Sequence, residues 1–339
     1  MSQKLIKRVD LNDETFVTAM KLFEVPPQFY EQARLMLTNE EIVLIANMGL
    51  KTWSVQGLFG IIAESDLAEE KDAIDFIDSS WRRSVIDKVE DDETREIKYK
   101  IADFYCRHPI FAQYEPEKYA TIPKPIIDAL SDWNFGVYLS AYRKVILNKL
   151  KGTGSEEKMH QSDFLTLEET LRAIDETPND ISVVPCNCRA IVRYHNKNVD
   201  NCITIGPRQY DINSQQNRGY GRKLSKEEAK ELVKNCNKEG LMHSGEDGGF
   251  CHCDAVACFP MRMSKELGAR LVYPRAHYSI DWRENECINC GKCTKICNFG
   301  AFAYDAYSNV AFNPERCYGC TICSNNCPKK AIRLIKLPE

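Results

Sequence analysis

The chain lacks any stretch of the about 18 uninterrupted apolar residues that a membrane helix requires, so no membrane insertion is expected. Met1 to Phe16 scatter charged residues and lack the apolar run and small-residue cleavage site of a secretory leader, and the expectation is a cytoplasmic protein. No G-x-G-x-x-G or Walker pattern occurs, and Gly245–Gly249 (GEDGG) is too irregular for a nucleotide loop. A positive excess is also missing. The net charge of -4 offers no general attraction to nucleic acid or to an acidic membrane. Histidine is scarce, and His108, His160, His195, His243 and His277 have no partner at metal spacing, which leaves only His252, between two cysteines, as a candidate. Disulfides are rare in a cytoplasmic chain, so its sixteen cysteines point to metal ligands.

At 339 residues two to three domains are expected, and three regions emerge: 1–150, 151–280 and 281–339. The first holds one cysteine, Cys106, and reads as helical. Glu41–Leu50, Val55–Glu64 and Ala68–Val89 show apolar residues at helical spacing, the last through Ile74, Ile77, Trp81 and Val85. Ile97, Tyr99 and Ile101 alternate with lysines as in a strand. Three helices and a charged hairpin are the order of a winged helix. Its third helix opens with Glu69, Glu70, Asp72, Asp75 and Asp78, and acids there would repel DNA phosphates, so a protein partner is expected and no nucleic acid.

Residues 151–163 (KGTGSEEKMHQSD) read as a linker. A short helix around Leu167, Leu171 and Ile174 precedes a strand, Ile181–Val184, ending at Pro185. Ser225 with Glu228 forms a capping-box pattern that starts a helix burying Ala229, Leu232, Val233 and Cys236, with Gly240 ending it. Cys236 is read as core.

The strongest signal is a 30-residue repeat. Cys287, Cys290, Cys293 and Cys297 recur as Cys317, Cys320, Cys323 and Cys327, both with the spacing C-x2-C-x2-C-x3-C. Zinc knuckles would show separated CxxC pairs or interspersed histidines. Two-residue gaps let one turn of backbone supply three thiolates to a [4Fe–4S] cube, and in two-cluster modules the fourth cysteine ligates the other cluster. The first cluster is thus assigned Cys287, Cys290, Cys293 and Cys327, and the second Cys317, Cys320, Cys323 and Cys297. Pro328 follows its cysteine as usual, whereas Asn298 replaces the proline in the first copy, a departure read as minor. Tyr304–Val310 and Asn313–Arg316 read as a hairpin and turn joining the halves. Residues 281–339 carry eight Lys/Arg against six Asp/Glu, which offsets part of the charge of thiolate-bound clusters.

Upstream stand Cys186 and Cys188, then Cys202, then Cys251, Cys253 and Cys258. On a strand, alternate residues share a face, which would pair Cys186 with Cys188 and Cys251 with Cys253. At least four of these six are expected to hold a third centre, a further [4Fe–4S] cluster or zinc, with structural thiols as the plain alternative. Arg189 is placed to donate to cluster sulfurs.

The acidic winged-helix-like region, Pro185-Cys186-Asn187-Cys188-Arg189, Cys202, the Cys251-His252-Cys253 run with Cys258, and the double cysteine repeat together resemble the long [4Fe–4S] dicluster ferredoxin-like proteins of anaerobes. The resemblance spans about residues 40–339. It implies an α+β chain: a helical winged-helix-like domain, a cysteine-rich middle domain and a two-cluster ferredoxin-like domain. It also implies an oxygen-sensitive electron carrier or electron-input subunit, docked on a redox partner such as a reductase subunit and non-catalytic itself, and leaves room for a homo-oligomer. A redox-sensing winged-helix regulator and a catalytic subunit using the upstream cysteines are the alternatives.

Overall fold

The computed structural model describes residues 12–153, 163–193, 199–206, 211–246 and 248–338. His160, His195 and most of the expected linker lie outside them. The described chain divides into two compact units, one of residues 12–130 with 211–220, the other of 131–206 with 221–338. The first break falls inside a long helix, and the middle and cysteine-repeat regions share one unit, where boundaries at 150 and 280 were expected.

In the first unit, α1 (Asp13–Leu22), α2 (Tyr30–Met36), α3 (Asn39–Met48), α4 (Val55–Glu64) and α5 (Ala73–Arg82) precede a hairpin of β1 (Ile86–Glu90) and β2 (Ile97–Ile101), followed by α6 (Phe104–Tyr114) and α7 (Pro116–Tyr119). The helix expected over Ala68–Val89 is shorter. It opens with a 3-10 turn, Glu70–Asp72, and stops at Arg82 because Ser84 takes a left-handed φ of 63° and the chain turns into β1. Ile74 is exposed, and the buried face of α5 is Ala73, Ile77 and Trp81. Trp53, between α3 and α4, exchanges both main-chain hydrogen bonds with Tyr99 at 2.7 Å, an isolated bridge beside the two-stranded hairpin.

A buried ion cluster ties this unit together. Arg83 donates to Glu41 at 2.7 Å and to the Met36 carbonyl at 2.9 Å, while Arg107 donates to the same carbonyl at 3.0 Å. Glu115 accepts from both guanidiniums. Glu41 also closes the capping box of α3 with Thr38. Residues 211–220 complete the unit: the Asn213 side chain accepts from the Trp81 indole and the Lys88 amide, and Arg218 donates to the Trp81 carbonyl and to Asp87.

The helix α8 (Lys124–Leu150) carries the chain to the second unit, whose antiparallel six-stranded sheet holds β3 (Asp163–Leu165), β4 (Ile181–Pro185), β5 (Asp200–Ile205), β6 (Arg222–Leu224), β7 (Met242–Glu246) and β8 (Gly249–Cys253) in the order β3-β7-β8-β5-β4-β6. Capping boxes start α9 (Leu167–Glu176) and α11 (Lys226–Lys238), and their apolar residues Ile174, Ala229 and Val233 pack with Ile181, Val183, Ile203 and Phe250 of the sheet. Gly245 and Glu246 pair with Phe250 and Gly249 near the end of the β7–β8 hairpin. Two short helices, α10 (Asn187–Val192) and α12 (Phe259–Glu266), follow β4 and β8.

The cysteine repeat adds β9 (Tyr278–Trp282), α13 (Lys292–Ile296), a hairpin of β10 (Phe302–Tyr304) and β11 (Val310–Phe312), α14 (Ile322–Asn326) and β12 (Ile332–Lys336), with β9 pairing β12. It docks tightly within its unit. Gly240, at φ 78°, has no room for a side chain, since a Cβ there would meet Ile296 at 2.9 Å. At Gly319 it would meet the Ala276 Cβ at 2.6 Å and the Tyr278 carbonyl oxygen at 2.7 Å.

Candidate metal centres

Each copy of the repeat folds its first three cysteines around the same backbone turn. Asn289 and Gly319 are left-handed, as are Gly291 and Thr321 two residues later, and these bends draw the thiols of one loop inward. One pocket is lined by Cys287, Cys290, Cys293 and Cys327, and another by Cys317, Cys320, Cys323 and Cys297. In each, the fourth sulfur comes from the other copy. Main-chain N–H groups point at the sulfurs: Asn289 to Cys287 and Gly319 to Cys317 at 3.4 Å, and Ala301 to Cys297 at 3.1 Å. Four thiols per cavity with amide donors on sulfur fit a [4Fe–4S] cube, whose potential such bonds raise by easing the added negative charge.

The two cavities differ in exposure. Cys290 is exposed and its neighbour Ile288 is 54% exposed, whereas Cys320 and Cys323 are buried. The exposed side chains of Lys292 and Lys329 stand at the first cavity. Between the two cavities pack Phe302, Val310 and Ile332.

The upstream cysteines converge as well. Cys186 lies against Cys188 and Cys202, Cys202 against Cys251, Cys251 against Cys253, Cys253 against Cys258, and Cys258 against Cys188, closing a ring of six thiols. The strand β4 ends at Pro185 as expected, so Cys186 and Cys188 do not share a strand face. Cys186 is the N-cap of α10, Cys188 lies in its first turn, and the Phe259 amide donates to Cys188 at 3.4 Å. Cys202 is on β5, Cys251 and Cys253 alternate on β8 as expected, and Cys258 is the N-cap of α12. Donation from ring neighbours lowers the Cys186 and Cys253 thiols below the ordinary range, and burial opposes this. Among the described residues no three His, Cys, Asp or Glu side chains converge as they would on a single ion; in a cube each thiolate binds its own iron.

Arg189, almost fully buried, donates to Asp254 at 2.8 Å and to the His252 carbonyl at 2.9 Å, and its charge acts on Cys186 and Cys253. Cys236 is buried in α11, where burial pushes its thiol up to about 12, as a core cysteine should be. Sequence spacing missed a pair of buried imidazoles: His243 and His252, opposite each other on β7 and β8, meet Nδ1 to Nδ1 at 2.8 Å, and His243 Nε2 bonds Asn237 at 3.3 Å. The second omission is Asn298. Its amide donates to the Gly240 carbonyl at 2.8 Å and accepts from the Ala255 N–H at 3.3 Å, bonds that a proline could not make.

Comparison with known proteins places these features. Residues 280–334 match the model of a 4Fe-4S dicluster domain. An archaeal-type glutamate synthase [NADPH] of Thermotoga maritima is 32% identical over 60 residues, 17% of this chain and 12% of that protein. Ferredoxin-3 of Nostoc sp. is 32% identical over 81 residues, 19% of this chain and 81% of its own length. Pyruvate synthase subunit PorD of Methanocaldococcus jannaschii is 37% identical over 54 residues, 16% of this chain and 63% of that subunit. The chain thus spans only a small part of the glutamate synthase. No solved structure matches. Among the described residues no helix is long and apolar enough to cross a membrane. With four-fifths of a ferredoxin covered and a dicluster domain matched, the chain belongs to the ferredoxins, the iron–sulfur proteins of electron transfer.

Proposed function

We propose that this chain is an electron-input protein for a partner oxidoreductase, with one [4Fe–4S] cube on Cys287, Cys290, Cys293 and Cys327 and another on Cys317, Cys320, Cys323 and Cys297. The observation that carries this reading is the pair of cavities, each lined by three cysteines of one copy and the fourth of the other. A cube gains or loses one electron at a time at a potential set by charge, hydrogen bonds to sulfur and exposure. The exposed cavity beside Lys292 and Lys329 is the contact for the redox partner, and its two cations suit an acidic partner face. The names of the relatives, a glutamate synthase and a pyruvate synthase subunit, support an oxidoreductase as that partner.

The order of α3, the Trp53 bridge, α4, α5 and the β1–β2 hairpin supports a winged-helix-like reading of the amino-terminal unit. Its α5 end exposes Glu69, Glu70 and Asp75, while Asp78 is paired with Arg82 at 2.8 Å, a surface for a protein partner and not for duplex DNA.

The test is a comparison of single serine variants by EPR in anaerobically purified, reduced protein. Cys327→Ser and Cys290→Ser should alter the same signal, and Cys297→Ser and Cys320→Ser the other. If Cys327→Ser instead alters the signal that responds to Cys320→Ser, the crossed ligation is wrong. If the protein takes up no iron, so is the electron-transfer reading.

A further inference from the structure

We propose that Cys186, Cys188, Cys202, Cys251, Cys253 and Cys258 together hold one polynuclear iron–sulfur centre that uses all six thiolates and exchanges electrons with the cluster of the Cys317 loop. This rests on the electron-transfer reading of the repeat and extends it inward.

The ligand set follows from the ring. Each of the six thiols contacts two others of the set, so no subset of four stands apart as one site with two bystanders. A single tetrahedral zinc takes four ligands and would leave two thiols over, whereas six thiolates match a centre of several metal atoms. The donors are all sulfur, the class that soft metals and iron–sulfur clusters select. Charge makes the same point. Bound to metal as thiolates, the six would carry six negative charges, of which the buried Arg189, itself shared with Asp254, offsets one at most. Metal cations inside the ring would neutralise the rest.

The neighbourhood supplies the redox contact. Cys253 and Cys258 share one packed core with Cys320 and Ile322 of the second cluster loop, and Cys251, Ile296, Phe299 and Tyr318 pack against it. Asn298, adjacent to Cys297, accepts from the amide of Ala255, which lies between Cys253 and Cys258. One hydrogen bond therefore links a ligand segment of the second cluster to a ligand segment of the ring. The cluster next to the ring is the buried one, and the exposed cluster faces outward. In each exchange the cube gives up one electron and the six-thiolate centre gains it, with no bond made or broken in the protein. The reductant is the reduced redox partner at the outer cube.

The test uses the full chain purified without oxygen, with iron, acid-labile sulfide and zinc counted against protein and EPR recorded on stepwise reduction. Iron in excess of the eight atoms of two cubes is expected, without zinc. Serine at each of the six positions, taken singly, should perturb the additional signal while the two cube signals and their iron persist, which also shows that the variant has folded. In the reduced wild type, spin coupling should broaden the signal lost in Cys320→Ser, and Cys202→Ser should remove that broadening. Two positions without effect would reduce the centre to a four-thiolate site and overturn the claim. So would stoichiometric zinc, or eight irons with six alkylatable thiols, and in either case the cube signals would leave the electron-transfer reading standing. An uncoupled third signal would overturn the redox contact.

Discussion

The side-chain amide of Asn298 donates to the main-chain carbonyl of Gly240 at 2.8 Å. This bond joins the residue after a cluster cysteine to the turn that ends α11. Asn326, in the second copy, mirrors it by donating to the Asn237 carbonyl at 2.9 Å in the same turn. Both halves of the iron–sulfur module are thus anchored on the end of one helix.

Asn298→Pro restores the proline of the usual run and removes the side-chain bonds to Gly240, Ile296 and Ala255. Their loss should cost about 1–3 kcal/mol in denaturant unfolding of the second unit. Iron content should stay at the wild-type value. Unchanged stability would mean that the anchor is incidental.

In the amino-terminal unit, Glu41 is buried between Arg83 and the start of α3. Glu41→Ala leaves Arg83 short of its partner and opens the capping box, so urea unfolding followed by Trp53 and Trp81 fluorescence should register a loss of about 3–5 kcal/mol. Glu41→Gln keeps an acceptor for the Thr38 amide and should fall between the two. A loss under about 1 kcal/mol in Glu41→Ala, the range of an exposed pair, would contradict the burial argument.

His108 is fully buried on α6, 3.1 Å from the Tyr119 hydroxyl, and burial followed by the charge of Arg107 lowers its pKa to about 3. It stays neutral in the fold while the unfolded chain takes up a proton near 6.5. The unfolded state therefore binds more protons between those values, and stability falls as pH drops through this window, by about 1.4 kcal/mol per unit once well below 6.5. His108→Gln should flatten the slope between pH 6.5 and 5. An equal slope in both proteins would show that other groups set it.

If Lys292 and Lys329 guide the partner, Lys292→Glu with Lys329→Glu should slow electron uptake from an acidic ferredoxin or flavodoxin about tenfold at low salt, with the gap closing as salt screens the charges. A difference independent of ionic strength would point to cluster damage instead. The acids of α5 lead to the companion expectation that gel shifts at low salt find no sequence-selective duplex binding.

The iron–sulfur module was legible because its signal is local. Eight cysteines in a 30-residue register mark the candidate ligands and the loops, and the capping box at Ser225 and Glu228 marks α11 in the same short-range way. The end of α5 was not, since Val85 continues the helical spacing of Ile77 and Trp81 while Ser84 turns the backbone. Cys186 and Cys188 looked like a strand pair because their spacing does not reveal that, once the strand ends at Pro185, Asn187 begins a helix. The facing of His243 and His252 depends on the register of β7 on β8, and the six-thiol ring on segments up to 72 residues apart. Asn298 was visible as a missing proline, but its partners Gly240 and Ala255 belong to tertiary structure.

Because residues 211–220 belong to the amino-terminal unit, the chain crosses between its units three times, and no single cut divides it into two whole parts. A fragment stopping at Leu130 would leave the Trp81 indole and the Lys88 main chain without Asn213. The same threading sets an order during synthesis. Cys186, Cys188 and Cys202 leave the ribosome before the segment that completes the amino-terminal unit, and Cys251, Cys253 and Cys258 only after it. For that interval half of the ring waits as open thiols, before the other half is made.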